Sequence, residues 1–259
     1  MAQAALAGEV KISMNSGSVT IASRSQGADS TIVGAYVNTL PYSVVAAKGI
    51  TKWEQLKGKR IAISRFGSAT DTAVRLVLAR FGLDAGKDVT LVQAGSQPTR
   101  FQALVGGSIE ATIISPPFDV TARKQGYPIL ANIAEVGIHY PQEIIETTDA
   151  FIRENPQVVK KFLKAFAEGI QYGATRKKDT KKIMAKYLKI SDPEILEWKY
   201  GSYLQATDRK LYPNLEGMRT ALEEVAKRVA AAKNRKPEEF VNTRFLDELN
   251  KEGFFQAAL

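Results

Sequence analysis

Gly58-Lys59-Arg60-Ile61-Ala62-Ile63-Ser64-Arg65-Phe66-Gly67-Ser68 is the stretch on which the fold turns. Its apolar run, Ile61 to Ser64, is short and bounded by glycine-bearing turns, which predicts a buried strand. A helix is expected directly after Gly67-Ser68. Ala73, Val74, Val77, Leu78 and Phe81 recur on one helical face, and Gly82 supplies the stop. Downstream, Asp88 to Val92 reads as a second strand. Gln97-Pro98 starts another helix, with proline tolerated in its first turn, and Gly106-Gly107 ends it. Ile109 to Ile114 is a third strand. Strands alternating with helices predict an α/β architecture with a parallel sheet and right-handed crossovers.

Upstream, the chain repeats itself. Leu6-Ala7-Gly8-Glu9-Val10-Lys11-Ile12-Ser13-Met14-Asn15-Ser16 aligns without gaps on Val105-Gly106-Gly107-Ser108-Ile109-Glu110-Ala111-Thr112-Ile113-Ile114-Ser115, 99 positions later. Each copy reads as helix end, glycine stop, β-branched strand, then a serine at the strand's carboxyl end. Such a repeat implies two similar α/β lobes. The later copy is preceded by a strand, helix and strand beginning near Lys59, for which the earlier copy has no room. About 40 residues, one strand–helix–strand unit, are therefore expected ahead of Met1. Met1 opens directly onto Ala-Gln-Ala-Ala-Leu-Ala-Gly, without the basic region or apolar core of a signal peptide. Loss of the leading unit accounts for this; a cytoplasmic protein is the other reading.

The second half is mainly helical, with start signals at Asn155-Pro156, Asp192-Pro193 and Pro213-Asn214. Val158, Val159, Phe162, Leu163 and Phe166 form the apolar side of the first of these helices. Leu215, Met218, Leu222, Val225 and Val229 follow the third. Asn242-Thr243 opens the last helix, with Phe245, Leu246 and Leu249 inward and Gly253 at its end.

Composition narrows function. At 259 residues, 44% hydrophobic and 24% charged, the chain can build a sizeable core in one large or two medium domains. A formal charge of +9 raises the question of nucleic acid. Much of the excess lies between Lys160 and Lys210 on helices with apolar counter-faces, and no nucleic-acid-binding motif accompanies it, so a solvated face is the reading adopted. There is no cysteine, which removes disulfides, thiolate catalysis and thiolate metal sites. His139 is the only histidine, so no Ser/His/Asp arrangement or metal-ligand spacing can be built. The Gly-x-Gly-x-x-Gly and P-loop patterns are absent. No catalytic residue, metal or cofactor is expected.

In open α/β sheets ligands bind beyond the carboxyl ends of the strands, where helix N-termini offer N–H groups. Three segments meet that description: Ser16-Gly17-Ser18, Arg65-Phe66-Gly67-Ser68-Ala69-Thr70-Asp71, and Ser115-Pro116-Pro117-Phe118. Gly67 lets backbone approach closely, while Ser68 and Thr70 add hydroxyls beside the amides of the Ser68-Ala69-Thr70 turn. That arrangement suits a carboxylate, sulfonate or other oxyanion. Each has a plainer reading. Ser68 can simply cap its helix, Arg65 can be a surface arginine, and Pro116 can stiffen a turn. Asn38, after the apolar strand Thr31 to Val37, is the weakest of the set.

Lys52-Trp53-Glu54-Gln55-Leu56-Lys57-Gly58-Lys59-Arg60-Ile61-Ala62 resembles the D-L-K-G-K-R-I-A entry to the second lobe of periplasmic binding proteins. With Arg65-Phe66-Gly67-Ser68, the Gln97-Pro98 helix, Ser115-Pro116-Pro117-Phe118 and Glu154-Asn155-Pro156, the chain is similar to the NMT1/THI5-like group of aliphatic sulfonate, nitrate and taurine receptors. The resemblance implies a type II periplasmic binding protein-like fold: two α/β lobes, a ligand cleft between them and a helical C-terminal region. Lobe 1 would comprise residues 1–44 and 145–259, lacking its first strand–helix–strand unit, and lobe 2 residues 45–144. Hinge strands would lie near Pro41 to Ala46 and Gln142 to Thr147. The implied function is a solute-binding receptor of an ABC importer, located in the periplasm and capturing a small, anionic organic molecule. Its partners would be that ligand and a membrane permease, with no nucleic acid and no membrane contact except through the permease. The alternative is an enzyme or sensory domain reusing the fold. The branch that makes thiamine pyrimidine uses a cysteine-rich motif and histidines, and the missing cysteines argue against it.

Overall fold

The computed structural model describes residues 10–257. The chain divides into two compact units, residues 1–39, 139–183 and 206–259 forming one and residues 40–138 and 184–205 the other. The helix-end part of the earlier repeat, Leu6 to Glu9, lies outside the described residues.

In the first unit, β1 (Ile12–Asn15) leads through α1 (Gly17–Ser25) to β2 (Thr31–Thr39). In the second, β3 (Ser43–Ala46) precedes β4 (Arg60–Ile63), α2 (Ala69–Arg80), β5 (Thr90–Gln93), α3 (Gln97–Val105), β6 (Ala111–Ile114), α4 (Phe118–Lys124) and β7 (Ile129–Asn132). Strand β8 (His139–Thr147) then returns to the first unit, followed by α5 (Asp149–Glu154), α6 (Pro156–Thr175) and α7 (Lys177–Leu188). The remaining helices are α8 (Pro193–Ala206), α9 (Leu215–Ala226), α10 (Arg244–Lys251) and α11 (Phe254–Ala257).

The second unit's sheet has the order β5-β4-β6-β3-β7. Strands β4, β5 and β6 are parallel, as expected, because α2 and α3 cross over between them. The sheet is nonetheless mixed, since β3 runs antiparallel to β6 and β7. The chain arrives at β3 from the other unit, with no crossover helix within this sheet to set a parallel direction. The first unit's sheet, β1-β8-β2, repeats that pattern: β8 lies antiparallel between β1 and β2. Order β1-β8-β2 thus corresponds to β6-β3-β7, and β1 and β6 occupy equivalent stretches of the sequence repeat.

The helical faces bury largely as their periodicity requires. Ala73, Val74, Val77 and Leu78 of α2 are buried, but Phe81 stays partly exposed, just past the helix end, stacked at 4.1 Å on Trp53. The second strand begins at Thr90 rather than Asp88, because Asp88 is committed to turns: its carboxylate accepts from Asp84 N and its carbonyl from Gly58 N. In α6, Val159 and Leu163 are buried while Val158 is turned to solvent. They pack with Val33, Ile145, Phe245, Leu246 and Leu249 in the first unit's core. Leu215 is exposed and Val229 falls beyond the end of α9. Val45, Ala62, Phe101, Leu104 and Ile114 anchor the core of the second unit.

Candidate functional site

In the second unit, three parallel strands end together and hand the chain to three loops. After β4, Ser64, Ser68 and Thr70 form a hydroxyl cluster, each pair 2.9 Å apart. The backbone dictates much of it. Gly67 has φ +75, a left-handed conformation that glycine adopts without strain. Ser68 is the N-cap of α2 and its hydroxyl accepts from Asp71 N at 3.4 Å, so the capping reading holds. The same hydroxyl faces Ser64 and donates to Arg65 O at 2.7 Å. Thr70 is buried and its hydroxyl accepts from Ser64 N at 2.9 Å, which makes it a support of the loop. Gly67 N donates to the Asp71 carboxylate at 2.7 Å, and that carboxylate is paired with Arg75 at 2.7 Å. The chain's own acid thus occupies part of the N–H-rich turn at the head of α2. Arg65 is exposed and Ala69 partly so.

After β6, Ser115 is held by Gln97, whose side-chain oxygen accepts from Ser115 N at 2.7 Å and from Ser115 Oγ at 3.2 Å. The Pro116–Pro117 peptide is cis. Two charged residues that the sequence pattern did not single out lie close by. Asp119 is buried and accepts from Ser43 Oγ at 2.9 Å and from Val120 N at 2.8 Å. Its burial pushes the carboxyl above the ordinary aspartate range, and burial pushes the neighbouring Lys199 ammonium down. Arg100, buried on α3, donates to Gly95 O and, at 3.0 Å, to Ile113 O, fixing the strand ends that frame the loops; burial lowers its pKa. Charged residues normally sit outside, so no periodicity marks these two as inward.

In the first unit, Ser16 and Ser18 bring their hydroxyls within 3.2 Å at the head of α1, and Ser16 N donates to Asn15 Oδ1 at 3.0 Å. Gly17 is buried against Pro141: a Cβ there would stand 2.6 Å from Pro141 Cγ. Asn38 is committed elsewhere. It donates to Tyr212 O at 2.8 Å and accepts from Asn214 N at 3.0 Å, pinning the loop that precedes α9. Glu143 and Glu146 point to opposite faces of β8, as a strand requires. Glu146 is buried and accepts from Ser13 Oγ at 2.9 Å and Thr20 Oγ1 at 2.5 Å. Glu143 accepts from Tyr36 OH at 3.3 Å; burial raises its pKa, and raises that of Tyr36. The lone His139 is partly exposed, 4.0 Å from Glu216.

Among the described residues there is no group of acidic or histidine side chains placed to hold a metal ion. No helix among them is long and apolar enough to cross a membrane. The arrangement brings small hydroxyls and helix-head amides to the strand ends of each unit, a surface suited to hydrogen-bonding a small polar solute.

The model of the NMT1/THI5-like family matches residues 1–178. No curated protein matches the chain. Among solved structures, the periplasmic aliphatic sulphonate binding protein SsuA from Escherichia coli superposes with a TM-score of 0.74 at 19% identity, over 95% of this chain and 77% of that one. A Candida albicans protein exhibiting the generic periplasmic binding protein fold gives 0.61 at 15%, over 96% and 80%. The desulfurization enzyme DSZB gives 0.64 at 13%, over 93% and 85%. At these identities the likeness carries the fold alone: the chain has the periplasmic binding protein fold.

Proposed function

The chain belongs to the NMT1/THI5-like family, and from that premise we propose that it is the solute-binding receptor of an ABC importer. It captures a small organic anion between two lobes and delivers it to a membrane permease. The observation that carries this reading is the hydroxyl cluster of Ser64, Ser68 and Thr70 at the head of α2, on a strand end beside Ser115. Neutral donors at a helix N-terminus suit an oxyanion that must be released again, since they bind without a full opposing charge. Ser16, Gly17 and Ser18 stand at the equivalent strand end of the first unit and are proposed as the opposing contacts, with Arg65, Gly67, Ala69 and Pro116 lining the second side. Asn38 is proposed only as a support, because its amide is spent on the 212–214 loop.

The proposed lobes, residues 1–44 with 145–259 and residues 45–144, differ from the compact units chiefly in segment 184–205. The likeness to the periplasmic aliphatic sulphonate binding protein from Escherichia coli supports an anionic solute and a periplasmic location. Native mass spectrometry of the purified protein tests the reading directly. A co-purified small anion that dissociates unchanged is the expected result. The likeness to DSZB favours one second reading, an enzyme on the same fold. Conversion of the captured molecule during incubation would select it.

A further inference from the structure

We infer that helix α7 is a membrane-surface element that docks on an anionic lipid bilayer. Its only buried side chain is Thr180, whose hydroxyl donates to Gly173 O at 3.0 Å and ties down the first turns. Thr180, Ile183, Met184 and Tyr187 follow the i, i+3, i+4, i+7 spacing of one helical face. That face starts against the protein and then leaves it: Ile183 is 49% exposed and Tyr187 74%, with Leu188 beside them at 48%. Lys181 and Lys186 flank that face and Lys178 and Lys182 lie opposite it, with Lys189 just past the helix end and Asp179 the one acid from Lys177 to Lys189. Because the face belongs to one helix, its geometry follows from helical pitch alone.

An apolar face flanked by lysines on a short helix fits a bilayer interface better than an aqueous surface. Ile183 and Leu188 would enter the acyl boundary, Tyr187 would sit at headgroup level, and the lysine stems would carry their ammonium groups back to lipid phosphates. Lys186 already lies 5.6 Å from the centre of the Tyr187 ring. The charge of the chain as a whole, +9, adds attraction of the same sign. In the receptor reading the membrane is met only through the permease; this helix adds a direct contact that does not depend on what is captured.

Co-sedimentation of the whole chain with phosphatidylcholine vesicles, with and without phosphatidylglycerol, is the test. Binding is expected only with the anionic lipid and should fall as salt rises. Ile183→Asp with Tyr187→Asp should weaken it by at least about tenfold, and Lys182→Gln with Lys186→Gln by several-fold. All four positions are exposed, and circular dichroism of the variants checks that the fold is kept. No sedimentation with anionic vesicles overturns the proposal, as does binding that neither pair of substitutions weakens. If the Asp pair instead changes the oligomeric state and vesicles are ignored, the face serves a protein contact and the proposal fails.

Discussion

Ser68 does two things with one hydroxyl, and substitution can separate them. Ser68→Ala removes the cap from α2 and should cost about 1 kcal/mol of stability in denaturant titration. If the proposed receptor reading is right, it should also weaken binding of a small anion at that site by roughly 1 kcal/mol or more, the worth of a hydrogen bond to a charged group. Ser68→Asn restores an acceptor for Asp71 N, so stability should return while affinity stays low. Recovery of both would leave Ser68 a cap alone. Glu143 offers a second residue-scale test. Burial raises its pKa above the ordinary glutamate value of 4.5, so the folded chain holds that proton more tightly than the unfolded one. The associated stability is full below that value and is lost as pH rises through the raised one. Glu143→Gln keeps an acceptor for Tyr36 OH and should raise Tm at neutral pH, with the gain vanishing in acid. A gain that is constant with pH would mean that the charge is not responsible. Neither the half-buried Glu143 nor the buried Asp119 could be recognised as inward in the sequence, because an inward carboxylate looks like an outward one until its partners, Tyr36 and Ser43, are known.

At the scale of elements, the alternation of short apolar runs with helical faces was legible, and so was its punctuation. Ser68, Asn214 and the Gln97-Pro98 pair mark helix starts because capping and proline tolerance are local properties. Direction was less legible. Strands β3 and β8 read like any other β-branched run, and only the connection that delivers them makes them antiparallel. The docking of α1 on β8 is a contact of this non-local kind. Gly17 leaves room for Pro141, and Gly17→Ala would bring a Cβ to 2.6 Å from Pro141 Cγ, far inside contact distance. We expect a loss of about 1–3 kcal/mol. Gly17→Ala combined with Pro141→Ala should recover part of it, and strict additivity in that cycle would show that the two residues do not meet.

For the whole molecule, the eleven-residue repeat announced that two sheets share one plan, and the matching orders β1-β8-β2 and β6-β3-β7 bear this out. What no local pattern announces is that the second unit is completed by a distant segment. Helix α8 buries Leu196 and Tyr200, stacks Trp198 at 4.4 Å on the Arg123 guanidinium, and ties Lys124 to Asp192 and Glu194 at 3.4 and 2.7 Å. Leu196 and Tyr200 stand at i, i+4, a spacing that would suit any apolar surface. Residues 40–138 prepared alone should therefore melt at lower temperature than the same residues supplied with 184–205, and equal melting would make α8 a bystander. The arrangement also sets a timetable for synthesis. A ribosome adding roughly 5–20 residues per second finishes residue 138 several seconds before residue 205. Through that interval the nascent second unit waits with one side uncovered, a period in which a chaperone has something to hold.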